Sequence, residues 1–273
     1  MAGRTEDVER RLNWRVGLLL GLAAVAVVAA LLHDAWPQDV GYHNFADQRE
    51  FWRVPNFWNV VTNGPFVLAG LYGLWIWPNA VWADNRDRWP WLLIAIAAIL
   101  IGFGSGYYHW HPDNHTLFWD RLPMTLAFMG LFAAAIAERV HTGWGFFLFG
   151  PFVLLGIFSV EYWRELDDLR FYILVQFYPM VALPLVLLLF PSRYTHGRML
   201  WWLALLYGLA KIAEGFDRQI FAATGYLISG HSIKHVLAAL GLVVAMEMIR
   251  RRKPLLHWNR SGDVAQLDRA AAS

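Results

Sequence analysis

The chain has 273 residues, 58% of them apolar and only 16% charged, with 16 Trp, 18 Phe and no Cys. That much apolar surface excludes an ordinary soluble domain and implies an integral membrane protein, helical because unpaired backbone is intolerable in hydrocarbon. The formal net charge of +2 makes no case for nucleic acid, since the basic residues fall in short loops and the tail, and the absence of Cys rules out disulfides and thiolate metal sites.

Eight apolar stretches are predicted as helices, at 14–32, 56–78, 90–110, 117–138, 143–162, 170–190, 198–221 and 229–249. Turn and charge signals separate them, such as Trp-Pro-Asn at 77–79, Asp-Asn-Arg-Asp-Arg at 84–88 and His-Pro-Asp-Asn-His at 111–115. All loops but 33–55 are short, so consecutive helices should pack antiparallel in one bundle. The first stretch reads as an uncleaved helix, because nineteen apolar residues exceed a usual signal-peptide core.

Charge bias orients this bundle. With both termini cytoplasmic, Arg10, Arg11, Arg86, Arg88, Arg139, Arg193, Arg198 and the basic run at 250–253 share one side, against Arg49, Arg53, Arg164 and Arg170 on the other. The expected organisation is therefore a cytoplasmic N-terminus with an extra helix (1–33), an outer loop (34–55), a seven-helix domain (56–250) and a disordered cytoplasmic tail (251–273).

Five residues fall at one depth of this bundle. His109 follows Ser105 by four residues, Asp120 lies eleven further on, and His231 and His235 form a second i,i+4 pair. Residues four apart share a helix face. In the charge-derived orientation the third helix ends outward at 105–109, the fourth begins there and the eighth opens with Gly230-His231, so all five converge on the outer half. Three neutral imidazoles with an open fourth position make a catalytic zinc site, and a nearby carboxylate can handle a proton of water. Ionisable groups inside membrane spans are costly and are functional candidates by default. The remaining histidines (His33, His43, His111, His115, His141, His196, His257) lie in loops or near ends and read as solvated. Ser105 also sits among Gly102, Gly104 and Gly106, a small-residue run typical of close helix contacts.

Gly-Ser-Gly-Tyr-Tyr-His (104–109), Asp-Arg-Leu-Pro-Met (120–124) and Gly-His-Ser-Ile-Lys-His (230–235) resemble the three motifs of the alkaline ceramidase family, and Asn-Phe-Trp-Asn-Val-Val-Thr-Asn (56–63) resembles its signature at the first core helix. The likeness covers roughly residues 42–250. It implies a seven-helix membrane hydrolase fold, related to the adiponectin and progestin receptors, with 14–32 as an extra helix. It further implies a zinc ion on His109, His231 and His235, with water as fourth ligand, Asp120 as the acid–base and Ser105 stabilising the substrate oxygen. The implied substrate is an N-acyl lipid such as ceramide, cleaved to a fatty acid and an amine.

One departure touches calcium, which members of that family bind through acids before the first core helix. Here Asn56 replaces the final Glu, leaving Asn44, Asp47 and Asn56 as a possible weakened site. Lys211, Glu214, Asp217 and Arg218 read as a self-neutralising ion-pair stripe, and Glu161, Arg164, Glu165, Asp167 and Asp168 as a solvated outer loop. Besides a lipid amide hydrolase, two alternatives stand: a receptor-like protein on the same fold with structural zinc, and a haem or di-iron oxidoreductase. Asp120 and Ser105 beside the histidines favour catalysis over a structural ion, and a single Asp with three His suits zinc better than di-iron. The expected location is a bacterial inner membrane, with the site facing the periplasm.

Overall fold

Each apolar stretch becomes helix, because only intrahelical pairing satisfies its backbone. The computed structural model describes the backbone of residues 2–255 and the side chains of 14–255; His257 and most of the tail expected to be disordered lie outside the described residues. The helices are α1 (Ala2–Leu32), α2 (Phe57–Val61), α3 (Gly64–Ile76), α4 (Arg88–Trp110), α5 (Asn114–Arg139), α6 (Thr142–Leu166), α7 (Arg170–Leu189), α8 (Met199–Gly215), α9 (Asp217–Ala223) and α10 (Gly230–Arg251). No strand forms among the described residues, which contain only two isolated bridges.

Among the described residues, seven helical segments are long and apolar enough to cross a membrane, or eight if a bent pair counts as one span. The bend departs from the expected straight helix over 198–221: α8 and α9 meet at 82°, and a chain turned that sharply at Phe216 directs α9 across the bundle axis. The stretch at 56–78 is also interrupted, by a turn at Thr62-Asn63 ahead of Gly64-Pro65. A proline near a helix start lacks the N–H that a continuous helix would need. Capping residues set the starts of two helices that carry the site. Asp113 and Thr116 form a capping box on α5, and the Ser229 hydroxyl accepts from the Ser232 amide at α10.

At one end of the bundle, charges at helix ends and in loops are buried. Glu138 accepts from the Trp91 indole at 2.7 Å and pairs with Arg252, whose guanidinium lies 4.0 Å from the Tyr194 ring. Arg139 donates to the carbonyls of Phe190 and Gly197, and Arg193 lies 3.7 Å from Asp87, which also accepts from the Tyr194 hydroxyl at 2.7 Å. Pairing of this kind offsets the cost of burying these charges. These residues clasp the helix ends together; they are more than topological markers.

The opposite end is closed by the 34–55 loop. Asp167 and Asp168, expected to be solvated, accept from the amides of Gln38 (3.0 Å) and Trp36 (3.2 Å). Asp168 also pairs with Arg170 at 2.6 Å, and Arg170 reaches back to the His33 carbonyl at 2.6 Å. Helix α1 stands at the periphery against α7, where the Tyr178 hydroxyl donates to the Leu19 carbonyl at 2.9 Å.

Candidate metal centre

Two glycines let the site-bearing helices come together. At Gly104 an added Cβ would run into the Trp119 carbonyl of α5, and at Gly230 into the Ala213 carbonyl of α8. Without side chains there, α4 closes on α5 and α10 closes on α8. The first contact sets Ser105 of α4 beside Asp120 of α5, and the second fixes the start of α10, which carries His231 and His235, against α8.

The three histidines expected to bind metal do converge. His109, His231 and His235 are buried, and one ring nitrogen of each lies within 4.8 Å of the others, a grouping that can hold a metal ion. Nε2 of His109 and Nε2 of His231 are 3.2 Å apart. The orientation of His235 follows from its neighbour. The Thr62 hydroxyl gives its proton to the Trp58 carbonyl at 2.6 Å, so its oxygen accepts from His235 Nδ1–H at 3.0 Å. That tautomer leaves Nε2 of His235 as a bare lone pair, and this buried atom has no hydrogen-bond partner in the protein. An orphaned buried acceptor beside two further imidazole nitrogens is the donor set a metal cation requires.

Residues 56–63 wrap this centre. The Asn56 amide donates to the His109 carbonyl at 2.9 Å, and Asn59 accepts from the Ser232 hydroxyl at 2.8 Å. Phe45 forms the roof, its ring 4.6 Å from His109 and 5.1 Å from His231. His43, expected to be solvated, supports that roof by bonding the Tyr108 hydroxyl at 2.9 Å and the Asn114 side chain at 3.0 Å. The three residues considered for calcium have other partners: Asp47 pairs with Arg49 at 2.6 Å, Asn44 accepts from Gln48 at 2.7 Å, and Asn56 turns to His109.

The expected stripe on the seventh span divides in two. Asp217 accepts from the His231 amide at 2.8 Å and the Ala46 amide at 3.0 Å, so it caps α10 and anchors the roof loop, while Arg218 donates to the Asn44 carbonyl at 2.9 Å. Glu214 pairs with Lys211 and, at 3.0 Å, with Lys234. Lys234 is the residue that sequence reasoning missed, although it stands between the two histidines of α10. Its ammonium donates to His231 Nε2 at 2.9 Å. A cation at the centre would compete for that lone pair, and Glu214 offers Lys234 another place for its charge.

Ser105 and Asp120 are both buried and face one another on adjacent helices. Together with His235, Lys234 and Glu214 they line one end of a cavity of about 530 Å³. The rest of the lining is mainly apolar, including Phe128 and Phe132 of α5, Leu183 of α7, Leu203 of α8 and Leu242 of α10, with Gln176 and Tyr207 bonded to each other at 3.2 Å. From Asp120 to Phe132 the cavity follows α5 for roughly 18 Å at the helical rise.

No protein-family model, no curated protein and no solved structure matches the chain.

Proposed function

We propose that this protein is an intramembrane zinc-dependent amide hydrolase that cleaves N-acyl lipids, such as ceramide, into a fatty acid and an amine. The observation that carries it is the continuity of the buried His109, His231 and His235 group, through Ser105 and Asp120, with a deep apolar cavity. A structural ion has no need of a carboxylate, a hydroxyl and a lipid-sized pocket at its side. We place the protein in a bacterial inner membrane with cytoplasmic termini and the centre on the periplasmic side, following the charge bias of its loops.

The three histidines would hold the zinc, which when bound acts as a Lewis acid and brings water into its ionising range near neutral pH. Asp120 takes a proton from the attacking water and returns it to the departing amine, as acid–base catalysis of amide cleavage requires. The Ser105 hydroxyl, one helix away, donates toward the oxygen that gains charge as the carbonyl is attacked. The cavity holds the acyl chain, and Phe45 keeps bulk water from above.

The test is metal analysis of the purified protein together with hydrolysis of an N-acyl lipid panel by wild type, His231→Ala and Asp120→Asn. We expect about one zinc per chain, lost in His231→Ala, and activity lost in both variants while Asp120→Asn keeps its metal. Bound zinc without turnover of any lipid would replace the hydrolase with a receptor-like protein, and iron in place of zinc would overturn the assignment.

A further inference from the structure

Arg121 follows Asp120 on α5 and lines the same cavity, yet nothing in the cleavage chemistry uses it. It is a buried cation, 5% exposed, and among the described residues no carboxylate comes within ion-pair distance of it. One edge of the guanidinium is occupied: Nη2 donates to the Gln38 side chain at 2.6 Å, and Gln38 is itself held by Asp167. The flat face is clamped by the rings of Trp163 at 4.2 Å and Tyr172 at 4.6 Å, and Tyr42, its ring at 5.6 Å, also engages the guanidinium through its hydroxyl. Nη1 remains buried without a hydrogen-bond partner. Leaving a charged donor buried and unpaired is expensive, and a guanidinium fork matches an oxyanion better than any neutral group. The other cations of the cavity, Lys211 and Lys234, are already committed to Glu214.

We infer that Arg121 recognises an oxyanion, a carboxylate or phosphate oxygen, carried on the amine half of the N-acyl substrate; this rests on the amide-hydrolase reading and narrows its substrate from a neutral amide such as ceramide to an anionic one. The acyl chain runs toward Phe132, so the amine half leaves past Asp120 toward the roof loop, where Arg121 and Gln38 stand. Water's oxygen forms the new bond to the acyl carbon, the C–N bond breaks, and the nitrogen gains the proton. The products are a fatty acid and an anionic amine.

The test compares three substrates of equal chain: N-dodecanoyl ethanolamine, its phosphate ester and N-dodecanoyl glycine. Wild type should favour one anionic substrate by roughly tenfold or more in kcat/KM, the scale of one charge-assisted hydrogen bond. Whichever anion is favoured identifies the source, phosphate or carboxylate. The preference should fall to near unity in Arg121→Gln and be partly restored in Arg121→Lys, which keeps the charge and loses the fork; a clamp that only braced the loop would lower all three substrates alike. Equal turnover of the neutral and anionic amides by wild type overturns the inference while leaving the hydrolase intact. If no amide is cleaved, binding of the same three amphiphiles to the metal-free protein decides: an Arg121-dependent preference for an anion upholds the anion site, and equal affinities refute it.

Discussion

Replacing Gly104 with alanine tests whether one backbone contact assembles the centre. The added methyl points at the Trp119 carbonyl of α5, and a main-chain oxygen inside a helix cannot rotate away. Relieving the overlap requires α4 and α5 to part by on the order of 1 Å to regain van der Waals distance. Overpacking of this kind costs about 1–3 kcal/mol, which for a chain of this size lowers Tm by roughly 2–4 °C per kcal/mol. The same shift separates Ser105 from Asp120, and a displacement of about 1 Å at reacting groups costs on the order of a hundredfold in rate. Gly106 is the control, because an added Cβ meets nothing within 4 Å there. Gly106→Ala should gain up to about 1 kcal/mol from helix propensity alone. Thermal unfolding and metal content of the two purified variants, with lipid amide hydrolysis beside them, provide the assay. Equal stability and metal content in both, two residues apart on one helix, would refute the role of the close approach.

Two further outcomes follow from the site and its roof. Thr62→Val removes the acceptor that holds Nδ1–H of His235, so metal affinity should fall by about 10–100-fold with the fold retained, as read by competition against a chelator; unchanged affinity would mean that Thr62 does not set the tautomer. Asp168 is held down to about 2, from an ordinary 3.8, first by its bond to the Arg170 side chain and then by the amides of Arg170 and Trp36. Because the folded value is depressed, its stabilising contribution is complete above pH of about 4 and is lost as pH falls through about 2. Asp168→Asn should therefore be less stable than wild type at neutral pH, and the difference should vanish across that acidic window in unfolding measurements; a difference independent of pH would refute the assignment.

Much of the site was legible because its signals are local. His231 and His235 share a face through helical spacing alone, and hydropathy with loop charge put Ser105, His109 and Asp120 at one end of the chain's spans. The structure then brought the three histidines within 4.8 Å. Lys234 was hidden by the same local logic: standing between two histidines, it was absorbed into the motif, and its partner Glu214 belongs to another helix. Asp217 looked like a charge in a stripe because the sequence does not reveal the 82° bend that swings it onto the start of α10.

Composition and periodicity alone determined that the chain is helical, apolar enough for membrane spans, and armed with histidines at ligand spacing, because helical pairing and hydropathy act within a segment. Only tertiary structure decided which faces meet. The Phe45 roof, the Thr62 support for His235, the close approach at Gly104, the aromatic clamp on Arg121 and the 530 Å³ cavity each join residues far apart in the chain. Their positions depend on the rotation and separation of packed helices, which side-chain volumes across several interfaces set together and no single segment specifies.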